Sequence, residues 1–329
     1  MKNWEEDDSD GYCAAERDLA DAESICQTLG IALRTVNFSS EYWDRVFQRF
    51  LAELRAGRTP NPDVLCNREI KFDEFVDFAL GLGGSRVATG HYARLDTDNG
   101  QTRLLKGVDP SKDQSYFLHT LDQTQLGKAM FPLGDLCKDT VREMARGARL
   151  TTHDKKDSTG ICFIGKRPFR DFVKRYIAPE PGPVESCSGE QIGEHEGLMY
   201  FTRGQRKGLG IGGRSASTGD AWYVADKDFE RNTLIVVQGH EHPLLYSRGL
   251  TATDCHWIVE KPHDFPFACH AKTRYRQSEQ PCTIVALDRG WCRVQFEQAQ
   301  WAVTPGQSVV FYRGEECLGG GIISETLSE

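Results

Sequence analysis

Residues 57–70 read Gly-Arg-Thr-Pro-Asn-Pro-Asp-Val-Leu-Cys-Asn-Arg-Glu-Ile, and no other stretch limits the local fold as strongly. Pro60 and Pro62 fix their own φ, lack a backbone N–H, and push the residue before each toward extended backbone, which predicts a stiff loop between two elements. Upstream, Trp43, Val46, Phe47, Phe50, Leu51 and Leu54 recur at helical spacing until Gly57 closes the pattern. Downstream, Asn67 is a good N-cap type, and Ile70, Phe72, Phe75, Val76 and Phe78 lie among charges as a second helix. Cys66 is then expected at or just before a helix N-terminus, whose partial positive charge, with Arg68 and Lys71, favours the thiolate. Asp63, on the same loop, is placed to move a proton. A stiff loop carrying a thiol and a carboxylate predicts nucleophilic chemistry.

The flanking pattern predicts an α/β N-terminal domain. A helix over 14–29 ends at Gly30, a strand follows over 31–38, and after the two helices a short strand over 86–90 leads into Gly90-His91-Tyr92. Helix and strand alternating in this way build a sheet with crossover helices, which binds ligands at the carboxyl ends of its strands, here at Thr89, Gly90 and His91. A strand is expected over 103–108, and helices over 114–121, 123–130 and 138–150. Residues 157–165 read as a polar entry and a short apolar strand, in which Cys162 looks like an inert buried thiol.

Beyond Arg167 the character changes. A helix over 169–176 leads to Pro179, Pro181 and Pro183, which mark a boundary. The remainder is rich in glycine and short strands: Cys292, Val294 and Phe296 alternate with Trp291, Arg293 and Gln295, and runs over 283–287, 308–312 and 318–323 suit a small barrel. The expected organisation is an α/β domain over 1–167, a small mostly-β domain over 168–242 and a C-terminal β-barrel over 243–329, with 240–243 at the second junction.

A chain of 329 residues fits two or three domains. Its apolar runs are short of a membrane span and its first residues are acidic where a secretory signal would be basic, so a cytoplasmic protein with no membrane partner is expected. The cysteine count is odd, eleven, with no Cys-x-x-Cys pair, which predicts mostly reduced thiols. The net charge of −8 weighs against indiscriminate nucleic-acid binding. Basic residues nevertheless cluster at Lys166, Arg167, Arg170, Lys174 and Arg175, at Arg203, Arg206 and Lys207, and at Arg274 and Arg276 around Tyr275; taken singly, each reads as a solvated face. The glycine-rich run 208–213 lacks the helix a phosphate loop needs, and His240 with His242, or Cys255 with His256, lacks a second ligand pair, so neither a nucleotide loop nor a metal site is expected there.

Several motifs together resemble those of bacterial tRNA-specific 2-thiouridylases, and in the same order: 61–67 (Asn-Pro-Asp-Val-Leu-Cys-Asn), 88–92 (Ala-Thr-Gly-His-Tyr), 112–117 (Lys-Asp-Gln-Ser-Tyr-Phe), 157–165 (Asp-Ser-Thr-Gly-Ile-Cys-Phe-Ile-Gly), 204–210 (Gly-Gln-Arg-Lys-Gly-Leu-Gly), 272–277 and 304–308. The resemblance spans essentially the whole chain. It implies an N-terminal parallel-sheet domain of the PP-loop ATPase (adenine-nucleotide-hydrolase-like) type, and a reaction that replaces the 2-oxygen of the wobble uridine by sulfur. By the same resemblance ATP, with Mg as its counter-ion, adenylates that oxygen, Met1 and Gly90 bind ATP, and sulfur arrives as a persulfide from an upstream donor of a cysteine desulfurase relay. Cys162 resembles the persulfide carrier, Cys66 its partner thiol, able to form a transient disulfide with it, and Asp63 the acid/base. Asn61, Pro62 and Asp63 would touch the target base, while His91, Lys112, Asp113, Gln114, Arg274, Tyr275 and Gln307 would meet the anticodon stem-loop of tRNA.

The sequence departs from the family pattern at its start. Family members begin with a strand and a Ser-Gly-Gly-x-Asp-Ser phosphate loop, a segment this sequence does not contain; the expectation is a start assigned too far downstream. Two other readings stand beside it: a shortened paralogue that binds tRNA or carries sulfur without adenylating, and a thiol hydrolase or peroxidase built on Cys66 and Asp63.

Overall fold

The structure, a computed structural model, describes residues 1–5, 14–156, 168–211 and 220–328. The apolar stripe read from 43 to 54 forms a continuous helix over 39–55, α-helical at Ser39–Tyr42 and Gln48–Arg55 with a π-type turn at Trp43–Phe47 between them. It buries Tyr42, Val46, Phe47, Phe50, Leu51 and Leu54. Trp4 packs edge-on to Phe47 with ring centroids 4.7 Å apart and lies 5.8 Å from Phe172, which ties the first residues and the helix Phe169–Val173 to the same core.

The helix Ala14–Leu29 ends at Gly30, whose φ of +67° is the left-handed value that stops helices. The strand expected over 31–38 is reduced, among the described residues, to a single parallel bridge between Lys2 and Asn37, made by Lys2 N to Val36 O (2.9 Å) and Phe38 N to Lys2 O (2.8 Å). A strand needs a ladder partner along its length, and among the described residues only Lys2 supplies one. Strands β1 (Val87–Ala88) and β4 (Ala129–Met130) pair in parallel.

Between them, β2 (Ala93–Asp98) and β3 (Gln101–Lys106) form a hairpin. Asn99 and Gly100 turn it, with φ of +49° and +80°, the left-handed pair that tight hairpins use. The hairpin joins the far end of the chain: Leu104 and Leu105 pair with Cys317 and Glu316.

The middle of the chain forms a sheet in the order β6-β5-β8-β7 from Gly182–Ser186 (β5), Gln191–His195 (β6), Trp222–Asp228 (β7) and Thr233–Gln238 (β8). The last part holds β9 (Tyr246–Trp257), β10 (Phe267–Lys272), β11 (Gln280–Asp288), β12 (Trp291–Trp301), β13 (Ser308–Arg313) and β14 (Glu316–Leu327). They run antiparallel in the order β13-β10-β11-β12-β9-β14, and β14 pairs back onto β13 to close a six-stranded barrel, which leaves no free edge. Leu250, Ala252, Ile284, Val294, Val309, Phe311 and Ile323 fill it without solvent exposure. The architecture is α/β, with a parallel-sheet N-terminal part, a β middle and the expected C-terminal barrel. No helix among the described residues is long and apolar enough to cross a membrane.

Candidate active site

Prolines alone do not hold the loop; the rest of the molecule pins it. Thr59 donates its N–H to Pro305 O (2.9 Å), accepts Gln307 Nε2 on its carbonyl (2.6 Å), and lies 3.4 Å from Thr202 Oγ1 through its own hydroxyl. Thr202 of the middle part and Pro305 and Gln307 of the barrel therefore touch Thr59 directly. Lys227 Nζ donates to Gly57 O at 3.0 Å; burial pulls this amine down to about 8, and Asp226 opposes the shift only in part. Gly306, at φ +91°, lets the barrel come this close, since a Cβ there would stand 2.7 Å from Thr59 N.

Beyond Pro60 the chain enters a helix sooner than its sequence suggests. Asn61, with extended φ and ψ, accepts the Asp63 N–H on Oδ1 at 3.1 Å, and Pro62 takes the first helical position, where a missing N–H costs nothing. The helix continues over 62–81 through a π-type stretch at Cys66–Glu74. Asn61 is therefore the cap and Asn67 is not: Asn67 is buried inside the helix, its Nδ2 on Phe117 O (3.0 Å) and its Oδ1 accepting Lys71 Nζ (2.9 Å). The expectation of Cys66 at the helix terminus is corrected accordingly. The thiol sits in the second helical turn, 1 % exposed, with Asn3 Nδ2 at 3.9 Å from Sγ. Of the two cations read beside it, Arg68 pairs with Glu69 at 2.7 Å and Lys71 is spent on Asn67. Asp63, half-buried in the first turn, is the acidic group at the positive end of the helix.

Other residues singled out in the sequence fall into two groups. Those of the first group are buried or half-buried, and all but His91 hold backbone in place. Asp113 accepts the N–H groups of Gly107 and Ser115 on Oδ1 (3.1 Å each), and on Oδ2 the Ser115 hydroxyl (3.0 Å) and Lys272 Nζ (3.4 Å). Gln114 Oε1 accepts the Tyr92 N–H at 3.1 Å. Arg274 donates to Arg203 O and Ala302 O, both at 2.8 Å, joining the middle segment to the barrel. His91 packs between Phe72 and Phe131 with Nδ1 2.8 Å from Thr89 Oγ1; burial, with Lys71 adding to it, pushes its imidazole down to about 3. The second group reaches the surface. Lys112 and Tyr275 are half-exposed, Arg276 is exposed, and Tyr275 packs on Phe117 with centroids 4.3 Å apart. Gly90 is exposed just past β1, and Met1 is 46 % exposed beside the Lys2–Asn37 bridge. Cys162, with Lys166 and Arg167, lies outside the described residues.

Sequence reasoning missed Thr59, Lys227 and Pro305. Lys227 stands in a strand with no local cue to its burial, and its partner lies 170 residues away. A cavity of about 810 Å³ opens at this junction, lined by Arg58, Thr59, Arg203, Lys227, Arg248 and Thr304 among others.

Residues 1–166 match the family model described as the tRNA methyl transferase HUP domain, 170–238 that of the tRNA methyl transferase PRC-barrel domain, and 247–323 that of the Aminomethyltransferase beta-barrel domain. A protein named tRNA-specific 2-thiouridylase MnmA from Aeromonas hydrophila is 58% identical over 329 residues, covering 100% of this chain and 89% of the relative. The chain belongs to the MnmA family. MnmA proteins of Serratia proteamaculans (57% over 330 residues, 100% of this chain and 90% of the relative) and Salmonella choleraesuis (58% over 328 residues, 99% and 89%) are similar to the same extent.

Proposed function

We propose that this chain is a tRNA-uridine 2-sulfurtransferase that replaces the 2-oxygen of the wobble uridine by sulfur, with ATP and a persulfide as co-substrates. The names of its full-length relatives support the tRNA-thiolation reading. The observation that carries the site is the pinning of Thr59 to Pro305, Gln307 and Thr202, which holds Asn61, Pro62 and Asp63 at the meeting point of all three parts of the molecule.

Gly90 and Met1 would hold ATP. Both are exposed, and a Cβ built on Gly90 meets nothing closer than Leu133 Cδ1 at 3.8 Å, which leaves room for a planar base. ATP, with Mg as its counter-ion, would supply the adenylation that turns the uridine oxygen into a leaving group. The protein's own residues do the rest. Asp63, half-exposed beside the pinned loop, exchanges a proton at the target base. Cys162 carries the persulfide; Cys66 thiolate attacks its inner sulfur, so that the outer sulfur leaves as hydrosulfide and bonds to the uridine C2 as the activated 2-oxygen departs with AMP, and a Cys66–Cys162 disulfide remains for a reductant. Cys66 is buried in the helix, so this step requires the first turns of 62–81 to open. Lys112, Tyr275 and Arg276 face tRNA, where cations meet phosphates and an aromatic ring meets unstacked anticodon bases. Asp113, Gln114, Arg274 and Gln307 serve that surface by fixing the backbone behind it, and His91 by packing between Phe72 and Phe131.

Nucleoside mass spectrometry of tRNA incubated with the protein, ATP and a persulfide donor tests the proposal. Wild-type protein is expected to form 2-thiouridine with AMP release, and C66S and C162S to form none. D63N is expected to lower the single-turnover rate by about 10²-fold or more while tRNA affinity stays close to wild type. Binding of tRNA without AMP release or thiolation would overturn the proposal in favour of a tRNA-binding paralogue.

A further inference from the structure

The barrel brings four cysteines together in two contacting pairs that the thiolation chemistry does not use. Cys269 on β10 and Cys282 on β11 are direct partners across the sheet, with sulfurs 3.6 Å apart, both buried. Cys255 on β9 and Cys292 on β12 hold their sulfurs 3.4 Å apart, and here only Cys292 is buried. Cys255 reaches its partner through an irregularity in β9. Between the pairs Gly320–His256 and Ile322–Thr253 the register slips, and Asp254 takes φ +52°; bulges of this kind re-aim a side chain. Gly321 makes the space, since a Cβ there would stand 2.8 Å from Cys255 Sγ. On its other side Cys255 lines a cleft of about 330 Å³ together with Lys261, His263, Phe265, Asp288 and Arg289.

We infer that Cys255 and Cys292 form an oxidisable dithiol on the barrel, with small hydroperoxides entering the cleft as the substrate class. The Cys255 sulfur attacks the O–O bond and keeps one oxygen as a sulfenic acid, while the other oxygen leaves with the thiol proton as water or an alcohol. Cys292 then attacks the Cys255 sulfur, and the hydroxyl leaves as water with the Cys292 proton. The balance is two thiols and one hydroperoxide giving one disulfide, one alcohol (water, when the oxidant is hydrogen peroxide) and one water. Access and contact divide the roles. The cleft reaches Cys255 alone, whereas Cys292 is packed in the core, where its contact with Cys255 and its burial hold its thiol protonated. The two sulfurs, 3.4 Å apart, would close to a bond of about 2.05 Å. Cys269 and Cys282 are in equal contact but lack an accessible member, so they stay reduced in the folded chain. Among the described residues no third His, Cys, Asp or Glu joins either pair in metal-ligating geometry.

The test is peptide mapping of the folded full-length protein treated with hydrogen peroxide and then alkylated. The expected product is a Cys255–Cys292 linked peptide with loss of two alkylatable thiols, while Cys269 and Cys282 are recovered as thiols once the protein is unfolded. In C292S, Cys255 is expected to stop as a sulfenic acid that a cyclic diketone traps; in C255S, Cys292 is expected to remain a thiol. Native-state resistance of Cys269 and Cys282 to alkylation in both variants shows that the barrel is folded. Recovery of Cys255 as an unmodified thiol, or linkage of Cys269 to Cys282 as fast as Cys255 to Cys292, would overturn the inference.

Discussion

Asp113, Gln114 and Arg274 stand beside surface-facing Lys112 and Tyr275 in the sequence, yet Gln114 and Arg274 bond backbone of other segments, and Asp113 bonds the nearby Gly107 and Ser115 N–H groups and Lys272. A motif shows that its residues act together but not which of them face outward; that depends on partners elsewhere in the chain, such as Ala302, 28 residues away, and Arg203, 71 residues away, for Arg274. His91 shows the cost of such burial. Its imidazole is pushed down to about 3 and that of His119 to about 4, each mainly by burial. Both folded values lie below the ordinary 6.5, so above that pH neither ring affects stability, and as pH falls the unfolded chain takes up protons first. Stability therefore drops from about pH 6.5 toward pH 3, by about 2 kcal/mol for His91 between pH 7 and pH 5. Urea unfolding at those two pH values should show a smaller acid loss in H91Q than in wild type; equal losses in the two proteins would contradict the assignment. Gly306 gives a second prediction. G306A places a methyl against Thr59 N at a left-handed φ, and should lower stability by about 1–3 kcal/mol in the same assay.

At the scale of elements, most helices and the barrel strands were legible because their apolar spacing is long and regular. The start of the 62–81 helix was not. Prolines usually end elements, and two of them 60–62 suggest a loop running up to Asn67, but Pro62 directly after Asn61 satisfies the first helical position and its cap. Asn61→Ala should therefore cost about 1 kcal/mol in unfolding experiments, whereas Asn67→Ala acts through the lost Phe117 contact and not through a cap. The β2–β3 hairpin had a local cue in Asn99-Gly100, although nothing in its residues pointed to β14 as its neighbour. The strand expected over 31–38 had the right composition and, among the described residues, lacked a ladder along it.

Across the whole molecule, segments distant in sequence share structure. Leu104 and Leu105 extend the barrel sheet, Lys106 Nζ meets Glu279 at 2.7 Å, and Arg94 meets Glu315 at 2.9 Å. Thr59 joins the loop to the barrel and the middle segment. Unfolding of the N-terminal part and the barrel should accordingly occur in one transition, and two well-separated calorimetric transitions would contradict this coupling. The same coupling is the basis of the proposed chemistry, because the barrel pins Thr59, next to the residues proposed to touch the base. The most direct test is the single-turnover rate of tRNA thiolation by Q307A, measured beside its tRNA affinity. Loss of the Gln307–Thr59 contact is predicted to slow the reaction by about tenfold, the equivalent of one hydrogen bond of 1.4 kcal/mol, with affinity nearly unchanged; weakened binding at an unchanged rate would contradict it.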